Sequence, residues 1–147
     1  MRRDRPMEAL LVDDCEGDIR LTREALREAE IPVRLSVARD GIEALALLRR
    51  EIGFAEAPRP DLIVMDLNMP RMSGRELLAA LGADPDLRII PVIVLTTSNS
   101  RKDIRCCYAL DANCYIIKPI DFDSFERALR SMQEFWFKTA TLLPQEG

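Results

Sequence analysis

Apolar and polar positions along this chain keep two different periods in alternation. Ala9–Val12 and Leu62–Met65 are unbroken apolar runs of strand length, and Pro91–Leu95 is another. Val33–Ala38 alternates through Val33, Leu35 and Val37, and Cys114–Lys118 supplies a fifth strand. Between them stand stretches of helical period. Asp18 to Ala29 carries Ile19, Leu21, Ala25, Leu26 and Ala29, with Pro32 as its stop. Asp40-Gly41 turns the chain into Ile42–Arg50, and Gly53–Pro60 reads as a loop. Ser73 with Glu76 forms a capping-box signature for a helix through Leu77, Leu78 and Leu81. Ser100 caps Arg101–Leu110, and Asp121 or Asp123 caps a last helix reaching about Leu143.

Strands alternating with helices predict an α/β fold: a parallel five-stranded sheet between two helical layers. The unbroken runs fit central strands buried on both faces. Right-handed crossovers leave the flavodoxin-like (βα)5 sandwich, order 2-1-3-4-5, as the expected topology. With 147 residues, the expectation is one domain over 1–147, residues 133–147 extending the last helix, with no output domain after it.

In such a sheet ligands bind beyond the carboxyl ends of the strands. The first strand ends in Asp13-Asp14, the third in Asp66, the fourth in Thr96-Thr97-Ser98 and the fifth in Lys118-Pro119. Helix capping at a solvated sheet edge is the plain account of any one of these, but not of all converging. Clustered carboxylates repel unless a cation offsets them. Hard oxygen ligands suit Mg²⁺ or Mn²⁺ rather than zinc. The expected roles are Asp14 and Asp66 as direct ligands, Asp13 through water, and the Asn68 backbone carbonyl from the next loop. Asp66 is the expected nucleophile toward phosphorus. Lys118 offsets charge in transfer, and Thr96 donates its hydroxyl to the attached phosphoryl group.

Composition narrows the chemistry. The chain has no histidine, which removes histidine-dependent triads and means that any phosphohistidine belongs to another molecule. Net charge is −4, so no nucleic-acid partner is expected, and the three arginines of Met1–Arg5 are too few for a basic arm. No apolar run is long enough for a membrane span and no secretion signal opens the chain, so a cytoplasmic place is expected. Cys15, Cys106, Cys107 and Cys114 lack metal-ligand spacing and are expected to be free thiols.

The four strand-end motifs, with Asp66-Leu67-Asn68-Met69-Pro70 and Gly74, resemble the receiver domain of bacterial response regulators over about Glu8 to Met132. The resemblance implies phosphoryl transfer from a partner histidine kinase to Asp66, a cis Lys118–Pro119 peptide, and Thr96 and Tyr115 as switch residues. It implies that Asn68 and Ser98 tune the lifetime of the phosphoaspartate. Asp18-Ile19-Arg20-Leu21-Thr22-Arg23-Glu24-Ala25-Leu26, the Gly53–Pro60 loop and Leu95–Ser98 further resemble small regulators paired with bacterial phytochrome kinases. Cys15 departs from that group's usual residue after the acidic pair.

Phe122, Phe125, Leu129, Met132 and Trp136 form a stripe at helical spacing that core packing explains in its first part. Phe135, Trp136 and Phe137 are consecutive, and three consecutive aromatics do not all face one core. The expectation is a homodimer through the fourth helix, fifth strand and fifth helix, with Phe125, Met132, Phe135, Trp136 and Phe137 in its interface. Two other functions are weighed. A metal-dependent phosphatase using an aspartyl-phosphate wants a second acid two residues after the nucleophile, where this chain has Asn68. A flavodoxin-like cofactor binder would need a phosphate-accepting first loop, and Asp13–Asp18 is acidic. No organic cofactor is expected.

Overall fold

The computed structural model describes residues 6–28 and 32–144. The elements are β1 (Met7–Val12), α1 (Glu16–Arg27), β2 (Val33–Ala38), α2 (Gly41–Leu48), β3 (Leu62–Met65), α3 (Gly74–Ala83), β4 (Val92–Thr96), α4 (Arg101–Ala109), β5 (Cys114–Ile117) and α5 (Phe122–Gln133). A π-helical segment, Glu134–Thr139, continues α5. The strands form one parallel sheet in the order β2-β1-β3-β4-β5, the expected topology.

Burial explains that order. β1, β3 and β4 are buried along their whole length, as their unbroken apolar runs require, whereas β2 and β5 are only partly covered at the edges. Successive side chains point to opposite faces. Leu10, Val12, Ile63, Met65 and Val94 pack with Ala44, Leu77, Leu81 and Cys107 of α2, α3 and α4. Leu11, Leu62, Val64, Ile93 and Leu95 pack with Ile19 and Leu26 of α1 and with Phe125, Leu129 and Met132 of α5. The sheet therefore has a core on each face, and its carboxyl ends point to one edge.

Local signals set the helix starts. Asp40, Ser73, Ser100 and Asp121 each accept a backbone N–H of the helix they cap, and Ser73 with Glu76 completes the capping box. Gly74 lies so close to the preceding loop that a Cβ there would stand 2.8 Å from Leu67 Cα and nearer still to the Asp66 carbonyl.

Several expectations need correction. α1 begins at Glu16, before Asp18, and its expected end at Ala29 lies outside the described residues, as do Met1–Arg5 and residues 145–147. The last helix does not run to Leu143. It widens at Glu134 and stops at Ala140, whose N–H donates to the Phe135 carbonyl at 2.6 Å. Beyond the stop, Leu142 is buried against the α1–α5 core. The smaller rotation per residue of a π-helix lets the neighbours Trp136 and Phe137 reach the same core. Phe125, Met132 and Phe137 are buried there, so these three expected interface residues belong to the chain's own core. Phe135 is 52% exposed and meets Trp136 edge-to-face at 5.3 Å. The Lys118–Pro119 peptide is trans, since no described peptide bond is cis; trans is the intrinsically preferred form even before proline.

All four cysteines are free thiols. Burial pushes the Cys107 thiol up to about 11 and raises that of Cys114, so both are inert packing groups.

Candidate functional site

Ladder hydrogen bonds carry the strand ends into register. The Asp13 N–H donates to the Ala38 carbonyl at 3.0 Å, the Asp66 N–H to Val12 at 2.9 Å, and the Lys118 N–H to Thr96 at 2.7 Å. The parallel pairing thus delivers Asp13, Asp66, Thr96 and Lys118 to one edge. One carboxylate oxygen from each of Asp13, Asp14 and Asp66 lies within 4.8 Å of the others. Asp13 is buried, Asp66 half-buried and Asp14 exposed.

Lys118 ties the cluster together. Its ammonium donates to Asp18 Oδ2 at 2.6 Å, Asp13 Oδ2 at 3.1 Å and Asp66 Oδ2 at 3.3 Å. Burial opposes the charge on Lys118, but the bond to Asp18 and the charges of Asp13 and Asp66 outweigh it and raise its pKa above the ordinary lysine value. Burial raises the Asp13 pKa, against the Cys15 N–H and Lys118, which lower it. Asp13 Oδ1 accepts that N–H at 2.9 Å, and Asp66 Oδ1 accepts the Leu67 N–H at 2.7 Å.

The sequence pattern does not mark Asp18 as a site residue. Its place in the first turn of α1 reads as ordinary helix-start acidity, and only the fold brings it to Lys118. The signal available in the sequence was its position just past the carboxyl end of β1.

Thr96 is fully buried, and its Oγ1 accepts the Ser98 N–H at 3.5 Å. Tyr115 is half-buried and donates to the Ser98 carbonyl at 2.8 Å, so its ring already points inward beside the loop after β4. Asn68 is exposed on the loop after β3. Cys15 is exposed beside the acidic pair. Of the expected interface residues, only Phe135 and the half-buried Trp136 reach the surface.

One ammonium stands against four carboxylates here, all with oxygen donors. That donor set fits a hard divalent cation. It offers neither imidazole nor, among the clustered ligands, thiolate.

Comparison with known proteins agrees with this geometry. The response regulator receiver domain family matches residues 9–130. The response regulator Rcp1 of Synechocystis sp. is 40% identical over 137 residues, covering 93% of each chain. The crystal structure of the phosphorylated cyanobacterial phytochrome response regulator RcpA superposes with a TM-score of 0.92 at 44% identity, over 95% of this chain and 100% of that one. A Mn²⁺-bound form of Rcp1 gives 0.91 at 40% identity, over 95% and 100%. The chain belongs to the response regulator receiver domains, the divalent-metal-binding signalling partners of histidine kinases in two-component systems.

Proposed function

We propose that Asp66 accepts a phosphoryl group from a phosphohistidine of a partner kinase and that the chain acts as a switch without substrates of its own. The observation that carries this is Lys118, within 3.3 Å of Asp66 and bound also to Asp13, beside a cluster of three carboxylates. Asp14, Asp66 and the Asn68 carbonyl would hold Mg²⁺ or Mn²⁺ directly, with Asp13 through water. Asp14 has no hydrogen-bond or ion-pair partner among the described residues, which leaves its oxygens open for this. The bound cation would neutralise charge on the phosphoryl oxygens during transfer.

The chain's own residues do the rest. Asp66 Oδ2 attacks phosphorus as the P–N bond to the donor histidine breaks. Lys118 leaves part of its carboxylate shell to pair with the new phosphoryl oxygens. Thr96 swings from its buried position to donate its hydroxyl to them, and Tyr115 holds the inward position beside the displaced loop. The readout is a population shift of α4, β5 and α5.

The relatives named for phytochrome or red-light signalling support a bacterial phytochrome kinase as donor. Residues 1–147 are read as one receiver domain with 133–147 as its extension. A homodimer remains part of the reading, anchored on Phe135 and Trp136 rather than on the buried residues of the stripe; light scattering at micromolar concentration showing only monomer would remove it. A cytoplasmic place accords with the absence, among the described residues, of any helix long and apolar enough to cross a membrane.

The test is intact-protein mass after incubation with Mg²⁺ and acetyl phosphate. The wild type should gain one phosphoryl group and lose that gain with EDTA, while Asp66→Asn gains none. Equal gains in both proteins would place the phosphate elsewhere.

A further inference from the structure

Asp40 stands outside the carboxylate cluster, at the carboxyl end of β2, and is buried. Its Oδ1 accepts the Glu43 N–H at 2.9 Å and so caps α2. A cap needs one oxygen. The other, Oδ2, accepts a hydrogen bond from Arg71 Nε at 2.7 Å and lies 2.6 Å from Nη2 in an ion pair. Arg71 belongs to a different loop, the one that follows β3 and carries Asn68. Capping does not account for that ion pair.

The Arg71 backbone has φ +63°, a left-handed conformation that a non-glycine residue adopts when its surroundings hold it there. The same two loops are joined again by the Gly41 N–H, which donates to the Met72 carbonyl at 3.2 Å. Any Cβ at position 41 would stand 2.7 Å from Met72 Cγ and Sδ. At its other end the loop is closed by the Gly74 N–H donating to the Leu67 carbonyl at 2.8 Å. The short run that contains Asn68 is thus fixed on one side by Leu67 and Gly74 and on the other by Asp40 and Gly41.

We infer that Asp40 is a positioning residue for the metal site: through its ion pair with Arg71 it holds the loop after β3 so that the Asn68 carbonyl faces the cation. The inference rests on the proposed role of Asn68 and adds a residue that touches neither metal nor phosphate. A pair with one half-exposed partner contributes little to fold stability. Its larger effect is on geometry, because a backbone carbonyl has no rotamer of its own and points where its loop is held.

The experiment measures Mn²⁺ affinity by electron paramagnetic resonance of the free ion, for wild type, Asp40→Asn, Arg71→Gln and the double variant. Amide hydrogen exchange of the metal-free proteins is read alongside. Asn keeps the cap on α2. Each single variant should bind Mn²⁺ about tenfold more weakly, the scale of losing a partner that orients a metal ligand. The double variant should be no weaker than either single one, since one pair is lost in all three. Amides of the loop after β3 should exchange faster while those of β1 and β3 stay protected.

Wild-type affinity in Arg71→Gln overturns the inference, and so do losses that add in the double variant. Arg71 lies on the surface of a loop, so its variant carries the test alone if Asp40→Asn folds poorly. Asp14→Asn separates the two levels. If wild type binds Mn²⁺ no better than Asp14→Asn, the proposed metal site fails. If wild type binds and only Arg71→Gln is unaffected, the positioning role alone fails.

Discussion

The Ser98 hydroxyl donates to the Asp103 carboxylate across 2.6 Å, tying the loop after β4 to the first turn of α4. Asp103 also accepts from Arg75 of α3 at 3.0 Å. The backbone of the same Ser98 donates to Thr96 Oγ1 and accepts from the Tyr115 hydroxyl. Ser98 therefore gathers contacts from the fully buried Thr96, from β5 and from α4, and through Asp103 it is linked to α3. A movement of Thr96 toward a phosphoryl group on Asp66 that carries Ser98 with it pulls on Asp103 and so reaches α4.

Arg75→Ala removes the far end of that chain. Both charged partners are partly exposed, so the loss in stability should be under about 1 kcal/mol. Hydrogen exchange at Ser100–Asp103 should nevertheless quicken, because Asp103 loses the cation that fixes its carboxylate and so holds Ser98 less firmly. Unchanged exchange there, with the variant folded, would take Arg75 out of the coupling.

Thr96→Ala separates chemistry from response. Acetyl phosphate with Mg²⁺ should still modify Asp66, since Thr96 does not attack phosphorus. The change that phosphorylation produces in exchange rates of α4 and β5 should disappear. Emptying a fully buried hydroxyl-and-methyl site should cost about 1 to 2 kcal/mol in urea unfolding. Equal phosphorylation-dependent changes in both proteins would falsify the switch role of Thr96.

What the sequence made legible follows from which forces are local. Strands β1, β3 and β4 were readable because burial on both faces leaves an unbroken apolar run. Caps at Ser73 and Ser100 were readable because a cap is a contact over three residues. The three-carboxylate cluster was readable because topology alone sends those strand ends to one edge. Asp18 was not, since it stands in the first turn of α1, where an acid reads as ordinary helix-start charge, and only the fold brings it to Lys118. The end of α5 was also hidden. The 3-4 spacing continues through Trp136, and the change to π-helical bonding shows only in how Phe137 and Leu142 pack.

Acid should uncover the Asp40–Arg71 pair. Burial disfavours the charged Asp40, but the Glu43 N–H and the Arg71 guanidinium outweigh this and hold its carboxyl below the ordinary aspartate value. A group whose folded pKa is depressed adds stability above its unfolded pKa, about 3.9. That stability drains as pH falls through the folded value. The stability gap between wild type and Asp40→Asn, followed by urea unfolding, should therefore be constant from neutral pH down to about pH 5 and shrink below about pH 4. A gap that persists unchanged at the lowest pH where both fold would mean that the charge of Asp40 is not what Arg71 holds.

Lys118→Ala tests the charge balance of the site itself. In the wild type one ammonium lies within hydrogen-bond reach of Asp18, Asp13 and Asp66. Without it those carboxylates, one of them buried, face each other with no cation to offset them, so the metal-free variant should be destabilised near neutral pH. A divalent cation should restore more stability to the variant than it adds to the wild type, because it binds the folded acidic cluster and now meets no competing ammonium. The rise in Tm on adding saturating Mg²⁺ should thus be larger in Lys118→Ala, while phosphoryl uptake from acetyl phosphate falls steeply. A smaller rise in the variant would mean that Lys118 helps to build the metal site rather than competing with it, and would reverse the order of events in which the lysine leaves the carboxylates for the phosphoryl oxygens.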